Sequence, residues 1–267
     1  SLPLRSSRVA LVLALTAVAC DGRKPAARSD DAPSGARRGP ALAVLDLSTG
    51  VPEVEPTGLF GVPARRETFD DLVETLAEVR RRDDVRGVYV RFGGASLGLA
   101  RAQELGESLA KVRAGGRPVH CHGEAFNNAT LYAAARGCSR IVVSPGGEVA
   151  TVGIAAQVVY LRKLLVEELK LSVDILQVGK FKGAEEPLTR DGPSDEARAS
   201  PEGTLGDLRK TWLEGIAEGR GRPEAATAAE DGPHAAHLAV ERGLADAVAF
   251  EEPARAEARS AAGAVRD

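Results

Sequence analysis

Two lysines separated by a single residue, Lys180 and Lys182, lie in the stretch Val178-Gly179-Lys180-Phe181-Lys182-Gly183. A lysine amine can take up a proton near neutral pH only if burial among apolar groups disfavours its charged form. Lys182 follows a strand-type run and is flanked by Phe181 and small Gly183, which suits a partly desolvated general base. Read alone, either lysine is equally an ordinary surface residue. The turn Phe92-Gly93-Gly94-Ala95 is a second feature with chemical potential. Glycine lets backbone N–H groups approach a developing oxyanion closely, and it also serves plain strand-to-helix turns.

Other reactive residue types carry less. Of four histidines, His120 and His122 share a strand face, while His234 and His237 are expected three apart on a helix. No carboxylate stands at ligand spacing, so neither a metal site nor a cofactor is expected. The three cysteines, Cys20, Cys121 and Cys138, form no CxxC pair, which removes zinc and redox motifs. Cys121 and Cys138 read as small core residues. Asp83-Asp84 and Glu251-Glu252 read as solvated carboxylates, and Arg80–Arg82 as the cationic last turn of a helix.

The elements that must position these residues alternate between strand and helix. Strands are expected at Ala41–Leu47, Gly87–Arg91, Pro118–Cys121, Ile141–Ser144 (stopped by Pro145-Gly146-Gly147), Ser172–Val178 and Leu244–Phe250. Helices are expected after a Thr68/Asp71 capping box, over 100–114 ending at Gly115-Gly116, around 130–135 and over 159–169. The remainder reads as mostly helical, broken at Pro201 and at Gly219–Pro223. This order predicts α/β architecture with a mainly parallel sheet.

The N-terminus has its own logic. Arg5 and Arg8 precede an apolar run, Val9–Ala19, too short to span a bilayer, and then Cys20. Ala17, Val18 and Ala19 before Cys20 resemble a bacterial lipoprotein cleavage box. Residues 1–20 are therefore expected as a lipoprotein-type signal peptide, with lipid on Cys20, and 21–40 as a disordered linker. The folded domain is expected over 41–250, followed by a C-terminal tail over 251–267. A net charge of −3 with both signs mixed argues against nucleic acid as a partner.

Taken together, Val178 to Pro187 with Arg190-Asp191 resembles the lysine motif of the signal peptide peptidase A family of serine–lysine peptidases. The resemblance maps the catalytic lysine onto Lys182 and the oxyanion turn onto Gly93 and Gly94. Gly123-Glu124 through Ala134 resembles the nucleophile segment, Val149–Ile154 a conserved-type glycine turn, and His237–Ala247 the closing helix and turn. It implies a Clp protease/crotonase-like fold of repeated ββα and βαβ units. The serine position falls on Asn128, and an amide is no acyl-transfer nucleophile. Thr130 lies two residues away, and nothing marks Ser96 or Ser144.

In the long form of this family the first of two tandem domains brings the lysine and lacks the serine, and this chain resembles that domain. The expectation is an exported, membrane-anchored peptidase domain facing the periplasm. It would act on signal-peptide remnants or other membrane-near peptides. The serine would come from a second domain or from another copy in a homo-oligomer. The alternatives are a non-catalytic peptide-binding or scaffolding lipoprotein, and a superfamily enzyme acting on acyl-CoA, which the export signal opposes.

Overall fold

A computed structural model describes residues 39–54, 67–95, 97–175 and 183–267, all within one compact unit, Arg38–Asp267. Strand β1 (Ala41–Leu47) leads to helix α1 (Phe69–Arg81). Thr68 caps α1 in the expected box: its hydroxyl accepts from the Asp71 N–H, and the Asp71 carboxylate accepts from the Thr68 N–H at 2.8 Å. Phe69, Leu72, Leu76 and Val79 then form a buried stripe at helical spacing. Strand β2 (Val85–Phe92), α2 (Leu99–Ala114), β3 (Val119–Asn127), α3 (Asn128–Gly137) and β4 (Arg140–Ala150) complete two further βαβ crossovers.

Strands β1 to β4 pair in order, all parallel. Two short strands share the far edge of β4. β5 (His234–Ala235) pairs antiparallel with its later half, and β6 (Ala247–Val248) parallel with its earlier half. This mainly parallel sheet of βαβ units is the expected α/β class. One sheet face packs against α1, α2 and α3, and the main core lies there. Helices α5 (Asp195–Arg220) and α6 (Glu224–Glu230) extend that layer, and α7 (Ala236–Glu241) returns to β4. Helix α8 (Glu251–Ala261) covers the other face, packing on Leu42, Tyr89 and Val142.

Helix α3 is the most enclosed element. Ala129 to Ala135 are all buried. Its neighbours reach it through glycines. A Cβ on Gly219 of α5 would lie 2.3 Å from the Ala135 carbonyl oxygen, and one on Gly215 would lie 2.2 Å from the Tyr132 ring. Arg220 closes this layer at the end of α5. Its guanidinium meets Asp246 at 2.5 and 3.1 Å, while Asp246 also accepts from the Ile141 N–H at 2.7 Å. Burial pushes the Asp246 carboxyl up, but these donors outweigh it and hold the pKa below the ordinary range.

Several expectations are corrected. β4 does not stop at Pro145. Gly123 pairs with Val143 and Ala125 with Glu148, so Ser144–Gly147 loop out against Glu124 alone before pairing resumes. Pro145 and Gly146 (φ +76°) sit in that bulge, where no ladder bond is required of them. β3 likewise runs on to Asn127, with Phe126 buried against Phe92. Pro201 does not break α5. It lies on the exposed early part of a helix whose later turns are anchored by Trp212 and Ile216. The helix expected over 159–169 is only a π-helical turn, Lys163–Glu168, with no buried residue. Residues 172–175 form no strand, and 176–178 lie outside the described residues. The final strand shrinks to Ala247–Val248, and His234 lies on β5 rather than on a helix with His237. The stretch 251–267 forms α8 and then returns to β1, where the Leu42 N–H donates to the Arg266 carbonyl at 2.8 Å.

His120 and His122 do share a face of β3, the one under α8, and both are buried. Burial lowers the pKa of each. Glu257 and Asp246 partly oppose this at His120, while Arg140 adds to it. At His122 the Ala249 carbonyl, Glu251 and Glu124 oppose it, and Arg91 adds to it. A lowered folded-state pKa means that the unfolded chain binds more protons below about 6.5, so stability drops as pH falls through that value. The melting temperature is expected to fall between pH 7.5 and 5, and the slope to flatten in a His120→Asn/His122→Asn variant. An unchanged slope would remove the two histidines as its source.

Close packing on α3 predicts that Gly219→Ala destabilises the fold by about 1–3 kcal/mol in urea unfolding. Gly206→Ala, in the same helix with nothing within 4 Å of the new Cβ, should instead stabilise it by up to about 1 kcal/mol. Equal effects at the two positions would show that proximity to α3 is not the constraint.

Candidate active site

The end of β3, the start of α3 and the turn after β4 converge at one place. Asn127 is the N-cap of α3. Its side-chain oxygen accepts from the Ala129 and Thr130 N–H groups, each at 3.1 Å. Thr130 reciprocates, its hydroxyl accepting from the Asn127 N–H at 2.9 Å. Thr130 is buried and its hydroxyl is engaged in this box, so it does not face the site as a free nucleophile. The Asn127 amide also donates to the Ala95 carbonyl at 3.4 Å, which ties α3 to the glycine turn after β2.

Asn128 is the first residue of α3. Its Nδ2 donates to the Gly153 carbonyl at 2.5 Å and its Oδ1 accepts from the Val152 N–H at 3.0 Å. Its own carbonyl accepts from the Trp212 indole N–H at 2.9 Å. An amide carries a donor and an acceptor on separate atoms and can bridge a C=O and an N–H in this way. The side chain is thus a clamp between α3 and the turn 151–153.

The two glycines of the β2 turn differ. A Cβ on Gly93 would lie 2.4 Å from the Ser48 carbonyl, so close backbone approach from the end of β1 requires glycine there. Gly94 has nothing within 4 Å of that position. Neither has a positive φ, so the turn is not one that needs left-handed backbone. Beneath it is a cavity of about 20 Å³ lined by Leu47, Val51, Phe69, Phe92, Leu97 and Thr130 among others.

Lys182, with Lys180 and Phe181, lies outside the described residues, as do Cys20 and Ser96. The chain becomes described again at Gly183, and its next anchor is Glu186. That buried carboxylate accepts from the Ser194 N–H at 2.7 Å and from the Ser194 hydroxyl at 2.5 Å. Ser194 bonding holds the Glu186 pKa below the ordinary range. Ser194 is itself the N-cap of α5, so the segment after Lys182 is fastened to the start of that helix through α4 (Glu186–Thr189). Sequence reasoning gave Glu186 no role; its place four residues after Lys182 was the available signal.

Nothing in the sequence around Ser144 marks it, yet it meets a histidine. Its hydroxyl lies 3.2 Å from His122 Nε2, in a cleft lined by Glu124, Gly146, Gly147 and Phe250. The Ala249 carbonyl lies 3.2 Å from the same nitrogen. A carbonyl only accepts, so Nε2 carries the proton and Ser144 Oγ can only share it. The pair therefore lacks the lone pair that would activate a serine. Among the described residues no group of three or more His, Cys, Asp or Glu could hold a metal ion.

The chain is similar in sequence to two long bacterial proteases. Protease 4 of Salmonella typhi is 30% identical over 168 residues, which cover 61% of this chain and 26% of that protein. Protease 4 of Haemophilus influenzae is 25% identical over 162 residues, 60% of this chain and 26% of that one. The chain thus spans about a quarter of the length of these curated relatives. Among solved structures, ThnE from S. clavuligerus matches with a TM-score of 0.43 at 14% identity, over 84% of this chain and 83% of its own. An enoyl-CoA hydratase/isomerase family protein from Silicibacter pomeroyi matches with a TM-score of 0.42 at 15% identity, over 84% and 77%. At these scores neither bears on the chemistry. The decisive match is to the model of peptidase family S49 over residues 111–265, which takes in both the Asn128 clamp and the lysine segment: this chain belongs to peptidase family S49.

Proposed function

We propose that this chain is the lysine-bearing part of an exported, membrane-anchored serine–lysine peptidase, with the nucleophilic serine supplied by another domain or another chain. Lys182 is the general base. Its neutral amine takes the proton of the serine hydroxyl as the oxygen attacks a peptide carbonyl. Backbone N–H groups of the Gly93-Gly94 turn meet the developing oxyanion, and the lysine returns the proton to the leaving amine. Water then releases the acyl group by the same relay.

The observation that carries the reading is Asn128. The resemblance puts the serine at the first residue of α3, and there the side chain is an amide with both ends bonded to the turn 151–153. Thr130 is engaged in capping and Ser144 faces a proton-bearing nitrogen, so neither of these hydroxyls replaces it. A need for a partner is also supported by the segment after that turn. From Val152 to Ile175 it exposes Val152 (78%), Val159 (61%), Leu164, Leu169 and Leu171, apolar surface that a second domain or copy would cover. Anchoring rests on Cys20 after its short apolar run. With Cys121 and Cys138 bonded to each other, Cys20 is the cysteine left for a lipid.

The same clamp favours a second reading, a non-catalytic peptide-binding or scaffolding lipoprotein of this family. The two separate on activity of the assembled protein with its serine-bearing partner. Under the first reading, Lys182→Ala lowers kcat on a signal-peptide-like substrate by at least about 100-fold, while Lys180→Ala leaves it within about twofold. Retained activity in Lys182→Ala rejects the base assignment, and absence of turnover with every serine-bearing partner moves the chain to the second reading. Asn128→Ala is expected to cost about 1–2 kcal/mol and to speed amide exchange at Val152. Unchanged exchange there would mean that the clamp does not hold the turn.

A further inference from the structure

Cys121 lies near the start of β3 and Cys138 caps the C-terminus of α3, and the two are joined as a disulfide with their Cα atoms 6.0 Å apart. The bond closes the strand–turn–helix unit that carries the Asn127 cap and the Asn128 clamp. Both cysteines are enclosed, at 0% and 3% exposure. The surroundings are tight. A Cβ on Gly137, the residue before Cys138, would lie 2.5 Å from Leu109 of α2. Arg113 donates to the Cys138 carbonyl at 3.0 Å, and the next residue, Ser139, is bonded to both backbone groups of Val119. The end of α3 is therefore held between α2 and β3, with little freedom for two unbonded sulfurs to move apart. Both cysteines are thus shielded from a small thiol or disulfide reagent in the folded chain.

We propose that Cys121–Cys138 is a maturation cross-link, formed in an oxidising compartment before β3 and α3 close on each other. Two thiols lose two protons and two electrons, one S–S bond forms, and a protein disulfide donor of that compartment is reduced to its dithiol. Once buried, the bond is kept by inaccessibility and acts as a structural tie on α3 rather than as a reversible switch. It confines the unfolded chain across the 17-residue separation and holds the C-terminal end of α3 against the early part of β3. The tie does not depend on whether the chain hydrolyses peptides.

The test is made on full-length protein taken from its native cells, denatured in an alkylating reagent and weighed intact. Cys121 and Cys138 should stay unmodified until a reductant is added in denaturant, after which both are alkylated. Alkylation of both without reductant overturns the proposal, and the state of the N-terminus in the same spectrum reports separately on export. A Cys121→Ala/Cys138→Ala variant should melt about 5–10 °C lower than the oxidised protein. Reductant present during refolding should lower the parent and leave the variant unchanged. Equal melting of parent and variant would overturn the structural role.

Discussion

Everything near the site depends on the burial of α3. The helix is built from Ala, Thr, Leu and Tyr small enough, or well enough enclosed, to sit between α2, α5 and the sheet. Gly215 and Gly219 bring α5 against it at distances no side chain permits. This fixes the helix axis, and with it the direction of its first residue. Trp212, fully enclosed on α5, donates its indole N–H to the Asn128 carbonyl, so the layer that packs the helix also holds its first turn. A large buried aromatic with its one polar group satisfied contributes both apolar area and orientation.

The second constraint is the long pairing of β3 with β4. Because the ladder resumes after the Ser144–Gly147 bulge, β4 extends to Ala150 and delivers the turn 151–153 beside the start of α3. A Cβ at Gly147 would lie 2.3 Å from the Glu124 carbonyl, so the bulge closes only with glycine there. The Asn128 amide then joins two elements that the bulge has brought together. Beyond that turn Ile154 still packs on the core, and then the packing thins. The chain leaves the sheet and meets α4 and the residues after it through the Leu161 N–H to the Pro187 carbonyl and the Arg162–Asp191 ion pair. Such exposed pairs hold little by themselves, and many apolar side chains of this segment stay exposed.

Charge organises the periphery rather than the core. Arg91 bridges Asp46 and Glu251, linking β1, β2 and the start of α8. Asp84 takes Arg82 and Arg266, linking the start of β2 to the returning C-terminus, and these partners bring its pKa to about 2. Both sets are solvent-exposed, and their role is to fix register more than to add stability. Arg220–Asp246 differs, being largely enclosed and sharing its carboxylate with the Ile141 N–H. Removing either partner would leave a charge or a backbone donor with no substitute.

By itself the sequence determined the local features: the Thr68/Asp71 box, the stop of α2 at Gly115-Gly116 and the alternation of strand and helix, and it carried the family resemblance around Lys182 and Asn128. These are legible because capping, glycine termination and periodicity act over a few residues. Only the tertiary structure decided the rest. The continuation of β4 through Pro-Gly-Gly depends on a partner strand that tolerates a bulge, and the continuity of α5 through Pro201 on anchoring further along the helix. The apolar stretch 159–175 reads as helix and strand but finds no core to bury in, so its periodicity is not realised within this chain. The Cys121–Cys138 bond and the double-ended Asn128 clamp join residues 17 and 24–25 positions apart, a proximity that folding creates and that no local pattern encodes.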